Sequence, residues 1–274
     1  MQSILTNEKY KGDALLQKTV TVDFLTKAKK RNEGEVPQYY VENSHAPIIS
    51  KDMFDIVQYE LKRRKNSGMR TRSYERFSGK IICGTCGSVC WRSVWYTKEK
   101  QREIIWICSK RIQKASACHS PFVPEEVVEQ AFLIAMNDLY QNKTGIISEY
   151  DSIHQRLCDV TSMDIDISRL KNDIERCRRQ LKHYPEKGHG QYQTVRTKYE
   201  TIQKQLSNVY EKRNERLAKS YCIQLFIGQL KSMKQPMTEF DAEIWRTLVD
   251  STIVRSKDTI SIVYKSGLQM DVHF

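Results

Sequence analysis

No uninterrupted apolar run approaches the ~18 residues of a membrane span, and the start of the chain lacks the basic, apolar and small-residue order of a signal peptide. Neither a spanning helix nor export is expected. Acidic residues are also in deficit, with 33 Asp and Glu against 45 Lys and Arg, a formal net charge of +12 and a mean hydropathy of −0.61. A surplus of this size favours polyanionic partners. It is not a solvating tail, because it lies in residues 1–122 and 161–220, whereas 123–160 is acidic and 221–274 is balanced.

Without export, eight cysteines read as thiols of a reducing, cytoplasmic compartment and not as a disulfide framework. Four of them form a set. Cys83-Gly84-Thr85-Cys86-Gly87 is a C-x2-C turn whose glycines let the backbone fold tightly while both sulfurs point inward, the half-site of a zinc ribbon. Cys108 and Cys118 form a second, more widely spaced pair, and the strand-like runs Val89 to Tyr96 and Glu103 to Cys108 lie between the two pairs. Zn2+ held by Cys83, Cys86, Cys108 and Cys118 has a formal charge of −2 and no open position, so the expected role is structural and not catalytic. Lys80, Arg92, Lys110 and Arg111 are close enough in sequence to offset that charge. Cys90 and His119 each neighbour a ligand but are not needed to complete the set. Cys158, Cys177 and Cys222 fall at apolar positions and read as packing residues. Glu99 and Glu103 are read as solvated acids.

Ahead of the cysteines, Ile4 to Tyr10 ends at Lys11-Gly12, Leu15 to Phe24 is strand-like, Asn32 to Glu35 is a turn and Gln38 to Val41 is a return strand. Ser50 is a candidate N-cap for a helix with Phe54, Val57 and Leu61 on one face. The segment Lys62 to Arg76, with seven basic residues, one Glu and Gly68, is expected to be extended along a nucleic-acid groove. Its candidate phosphate contacts are Lys62, Arg63, Arg64, Lys65, Arg70, Arg72 and Arg76, joined by Lys80 and Arg92 on the ribbon.

After the cysteines, Pro124-Glu125-Glu126 opens a helix carrying Val127, Phe132, Ala135, Met136 and Leu139. Ile153 to Tyr184 and Tyr192 to Val209 each follow a 4-3 alternation, broken by Asp164 in the first series, and a Pro- and Gly-bearing loop separates them. That pattern predicts an antiparallel helical hairpin projecting as an arm. The seam fails at Arg213 and Arg216. Tyr221 to Leu230 is apolar enough to dock, Thr238 to Asp241 opens a further helix, and Thr252 to Arg255, Thr259 to Tyr264 and Leu268 to His273 are expected strands. Trp91, Trp95 and Trp106 alternate within strands and are expected to be at least half-buried.

Ile4 to Asp13, Gln17-Lys18-Thr19, Asn32 to Glu35, Tyr39-Tyr40-Val41, His45 to Ser50 and Phe54 resemble the recombinase domain of large serine recombinases. Phe77 to Gly87, the long-spaced second cysteine pair, the helical hairpin and the terminal Lys-x-Gly turn resemble the same family's zinc β-ribbon region. The resemblance spans essentially the whole chain. It implies binding to attachment-site DNA, synapsis of two dimers, and strand exchange through a phosphoseryl linkage. The family's catalytic serine domain is expected to precede residue 1, and no serine in this chain lies in a matching context.

The expectation is therefore a multi-domain α+β fold. Residues 1–61 are read as the C-terminal part of a recombinase DNA-binding domain, 62–77 as a basic linker and 78–145 as the first part of a zinc β-ribbon domain. Residues 146–218 are read as an inserted antiparallel coiled-coil arm, and 219–274 as a return segment ending in a β-meander. Double-stranded DNA is the expected partner. Self-association is expected through the arm tip, where Tyr184, Pro185, His189 and Tyr192 supply an aromatic, weakly charged surface. Two other readings stay open: a stand-alone zinc-ribbon protein binding nucleic acid, including RNA, and a coiled-coil interaction module capped by a ribbon.

Overall fold

A computed structural model describes residues 2–23, 25–66, 76–96, 102–113, 118–183 and 190–274, with only the backbone described at Gln2, Arg63, Arg64 and Asn66. Near the start lie α1 (Gln2–Leu5), a 3-10 turn (Glu8–Lys11) and two antiparallel strand pairs. β1 (Ala14–Leu16) pairs with β4 (Tyr39–Val41), and β2 (Thr19–Asp23) pairs with β3 (Ala28–Arg31). The single strand expected from Leu15 to Phe24 is two strands, because Gln17 turns into the left-handed region at φ 58. Asn32 is buried and holds the turn before β4: its amide donates to Gln17 O and Val36 O, and its Oδ1 accepts from the N–H groups of Gly34 and Val36. Gly12, at φ +90, has no room for a Cβ, which would meet the His45 carbonyl at 2.7 Å.

Ser50 Oγ accepts the Met53 N–H at 3.2 Å and caps α2 (Lys51–Asn66). The helix continues five residues past Leu61. This corrects the extended reading of Lys62 to Lys65: long basic side chains are good helix formers, and no breaker occurs before Gly68.

The ribbon and the end of the chain share one core. β5 (Ile81–Cys83) is the edge of a four-stranded sheet ordered β11-β10-β9-β5, formed with β9 (Val249–Val254), β10 (Thr259–Tyr264) and β11 (Gln269–His273). β5 runs parallel to β9 and the other neighbours are antiparallel. A second sheet joins β6 (Cys90–Tyr96), β7 (Arg102–Cys108) and the short β8 (Val123–Pro124), and α3 (Ser109–Ile112) follows β7 directly. Between the sheets, α4 (Glu125–Gln141) buries Val128, Ala131, Phe132, Ala135, Met136 and Leu139. Phe77 is the hub, with its ring 6.3 Å from Trp106, 5.0 Å from Trp245 and 5.4 Å from Phe240. α8 (Ala242–Leu248) supplies Trp245 and is capped by Asp241, the last residue of the expected opening, whose carboxylate accepts the N–H groups of Glu243 and Ile244.

Three helices complete the chain. α7 (Gly190–Ser232) is continuous over 43 residues, whereas its companion is broken into α5 (Lys143–Cys158) and α6 (Thr161–His183). The uninterrupted helix read from Ile153 onward thus divides at Asp159, whose backbone is extended and whose Oδ1 accepts the Thr161 N–H. α5 packs on the C-terminal half of α7, with Tyr150 against Phe226 at 5.3 Å. α6 lies antiparallel along the first half, where Leu170, Ile174, Cys177 and Ile202 share a core flanked by Val195, Tyr199, Leu206 and Val209. At the break, Arg213 Nε meets Asp164 at 2.6 Å and Arg216 donates to the Arg156 carbonyl. The polar interruptions in the two helices therefore face one another, although the buried Arg216 Nε has no hydrogen-bond partner among the described residues. Among the described residues, no helix is long and apolar enough to cross a membrane.

Candidate metal centre and nucleic-acid surface

The four cysteine sulfurs singled out by spacing meet in the fold. Their Sγ atoms all lie within 4.8 Å of one another, and three separations are 3.7 Å (Cys83–Cys118), 3.4 Å (Cys86–Cys108) and 3.6 Å (Cys86–Cys118). A tetrahedral ion with metal–sulfur bonds of about 2.3 Å needs sulfur separations of about 3.8 Å. The cage therefore has the right size. Each sulfur also accepts a backbone N–H two residues on: Thr85 to Cys83, Ser88 to Cys86, Lys110 to Cys108 and Ser120 to Cys118. Such bonds stabilise thiolates, the form that binds metal. At Cys86 the Ser88 N–H and hydroxyl lead the causes that bring the thiol down to about 6, whereas burial pushes Cys108 up to about 12 despite its N–H bonds. Among the described residues, no other group of three or more Cys, His, Asp or Glu is placed to share an ion.

Backbone geometry fixes the first half of the cage. The Gly87 N–H donates to Cys83 O at 2.8 Å, with Gly87 at φ +70. Gly84 sits against the end of β9: its N–H donates to Val254 O at 2.8 Å, and a Cβ there would come within 2.5 Å of that oxygen. The C-terminal sheet thus abuts the cysteine turn directly. Cys90 faces Cys108 across β6 and β7 but lies outside the cage, and burial, reinforced by the four neighbouring thiols, pushes it up to about 12. It remains a neutral core thiol. His119 is exposed and also lies outside the cage.

The structure divides the basic residues expected at DNA. Lys65 is exposed near the end of α2, and Lys62 there pairs with Glu211 of α7 at 2.6 Å. Arg63 and Arg64 share that helical turn. Arg70 and Arg72 lie outside the described residues. Arg76, also expected at phosphate, bridges Glu125 at 3.6 Å and Glu129 at 3.1 Å while its guanidinium covers Phe77 and Phe240. Lys80 is likewise engaged: its Nζ donates to Val249 O at 2.6 Å and sits over the Trp245 ring. Arg92 is half-buried on β6. Of the residues expected at the arm tip, Tyr192 is half-buried on α7, while Tyr184, Pro185 and His189 lie outside the described residues.

The three ribbon tryptophans expected to be at least half-buried are so to very different degrees. Trp106 is buried and donates its indole N–H to Glu125, but Trp91 and Trp95 are 46% and 49% exposed. Register explains the difference, since Trp91, Ser93 and Trp95 stand opposite Ile107, Ile105 and Glu103 on one face, whereas Cys90, Arg92 and Val94 share the other with Trp106 and Cys108. The core covers Cys90, Trp106 and Cys108 on the latter face, while on the former Ile105 is buried and the two tryptophans are open. Phe122 joins the uncovered side, with its ring 5.0 Å from that of Trp95.

Two family models match the chain, the recombinase domain over residues 1–64 and the recombinase zinc β-ribbon domain over residues 77–137. The comparison with curated proteins gives no match. Among solved structures, one titled as the crystal structure of an LSR–DNA complex is similar over 96% of this chain and 75% of that one, at 16% identity and a TM-score of 0.38.

Proposed function

We propose that the chain, which carries the recombinase domain and the recombinase zinc β-ribbon domain of the large serine recombinases, binds duplex DNA at the attachment sites of a mobile element, in the cytoplasm, and controls their synapsis. The observation that carries the proposal is the order of parts: a recombinase domain, a basic segment and a four-thiolate ribbon. On this reading residues 1–61 and the ribbon of 78–145 are separate DNA-contacting modules, and 62–77 bridges them along the duplex. Residues 219–274 complete the ribbon domain. The helices of 146–218 form a coiled-coil arm whose tip, with Tyr184, Pro185, His189 and Tyr192, contacts a second subunit.

Zn2+ in the Cys83, Cys86, Cys108 and Cys118 cage would hold the ribbon in shape with no open position for a water, so its contribution is folding and not hydrolysis. Bond cleavage is assigned to no residue of this chain. Phosphate contacts are proposed at Lys62, Arg63, Arg64 and Lys65 on α2 and at Arg70 and Arg72 beyond it. Arg76, Lys80 and Arg92 are proposed as further contacts, with Arg76 and Lys80, like Lys62, exchanging their present partners for phosphate.

Retardation of duplex fragments bearing the element's own ends, against random duplex and single strands, tests the proposal. Preference for the element's ends, with affinity falling steeply with salt, is the expected outcome. Equal binding to random duplex would remove attachment-site recognition. The exposed Trp91, Trp95 and Phe122 favour one second reading, stacking on unpaired bases, which predicts that single strands compete best.

A further inference from the structure

Among the described residues, three ion pairs tie the first domain to the paired helices α6 and α7. Lys62 of α2 meets Glu211 of α7 at 2.6 Å, Arg213 of α7 meets Asp52 of α2 at 3.0 Å, and Lys171 of α6 meets Glu42, just after β4, at 3.2 Å. Arg213 sits at the centre with its side chain only 13% exposed, while Lys62 and Glu211 are 62% and 51% exposed. The contact is therefore built from charge around one partly buried arginine.

Two features suit such a contact to opening and closing. Arg213 also holds Asp164 of α6 at 2.6 Å, so withdrawal of α2 returns the exposed Asp52 to water and leaves Arg213 paired. No buried charge is orphaned when the domains part, and the large cost of breaking a buried pair does not arise. The second feature is competition. Lys62, one of the proposed phosphate contacts, already has a carboxylate partner, and a DNA phosphate approaching it must displace Glu211 and repel it.

We propose that these pairs form a latch that holds α6 and α7 against the first domain in the absence of DNA, and that duplex binding at Lys62 opens it. The coupling to DNA rests on the DNA-binding reading above; the latch itself does not. Its use is to keep the helices from reaching another molecule until their own subunit is seated on a duplex.

Zero-length carbodiimide cross-linking of the full chain, read by peptide mass spectrometry, tests this directly. Free protein at low salt should yield Lys62–Glu211 and Lys171–Glu42 links, and both should fall by roughly fivefold at about 0.5 M salt. Saturating duplex, with binding verified by retardation, should produce the same fall. Arg213→Ala, with helix content checked by circular dichroism, and the exposed Glu211→Gln should each weaken the distant Lys171–Glu42 link. If duplex is retarded while both links persist undiminished, the coupling to DNA is overturned. If duplex is not retarded, the DNA-binding reading fails separately, and links indifferent to salt and to both substitutions overturn the latch.

Discussion

Between Phe77 and Phe274 the fold buries Trp106, Phe132, Phe226, Trp245 and Tyr264 in one continuous core, whereas among the described residues of the first 66 only Ala14 and Phe54 are buried apolar side chains. Asp13 and Asn32 occupy the interior there. Asp13 accepts from the Tyr40 hydroxyl at 2.6 Å and the Asn43 N–H at 2.9 Å and faces Lys11 and Lys51, while the Lys11 ammonium lies over the rings of Tyr40 and Phe54. One region is stabilised by transfer of apolar surface from water, the other by polar networks worth only about 0.5–1.5 kcal/mol net per hydrogen bond. Salt, acid and metal should therefore act on them unequally.

The largest expected difference follows removal of the metal. Structural zinc contributes apparent folding free energies of about 10–16 kcal/mol in small domains, so chelation or Cys118→Ser should abolish amide protection across residues 81–112 and spare residues 13–41. Hydrogen exchange with native mass spectrometry checks this, starting from one zinc per chain. Equal loss of protection in both regions would break the comparison.

Next in size is Trp245→Ala, which removes a fully buried ring packed between Phe77 and Phe132 and should cost about 3–5 kcal/mol in thermal or denaturant unfolding of the ribbon region. Asn32→Ala in the first domain leaves the Gln17 and Val36 carbonyls and the Gly34 N–H without their partner and should cost about 1–3 kcal/mol.

The first domain should also be the acid-sensitive one. Burial opposes ionisation of Asp13, but the Tyr40 and Asn43 bonds and the two lysines outweigh it and bring its pKa down to about 2. A carboxyl depressed in the folded state contributes stability fully above its unfolded value of about 3.9, and the contribution drains away as pH falls towards 2. A melting profile that falls across that window in wild type but is flatter in Asp13→Asn checks the sign. Smallest is Cys90→Ala, which should leave zinc content unchanged and destabilise the ribbon by about 1 kcal/mol.

How much of this was legible depends on whether a property is set locally. The Cys83-x-x-Cys86 turn was readable because two glycines and a two-residue spacing dictate its geometry, and Cys108 and Cys118 completed the cage as the strand pattern between the pairs implied. The 4-3 repeat likewise carried Leu170, Ile174, Cys177 and Ile202 to a shared core. Trp91 and Trp95 are just over half-buried, as read, but their open side was not legible, because alternation shows which residues share a face, not which face the core covers. The ion pairs of Arg76 were hidden for a related reason: its partners Glu125 and Glu129 lie one helical turn apart, beyond a stretch of chain no local pattern spans. The division at Asp159 was hidden because the apolar period runs through it, and only the partners of Arg213 and Arg216 reveal that the two polar interruptions coincide.

The unbroken course of α7 has a mechanical consequence. At ~1.5 Å per residue its 43 residues span about 64 Å, from the core contacts of Phe226 and Leu230 to the far end at Gly190. Its companion can flex at Asp159, but α7 can only bend gradually or swing as a lever, pivoting where it enters the core beside Tyr264. The arm from that pivot to Gly190 is about 54 Å, so a swing of roughly 10° moves the Gly190 end by about 9 Å. Small repacking around Phe226 is thereby magnified into a displacement nearly as large as the width of a helix.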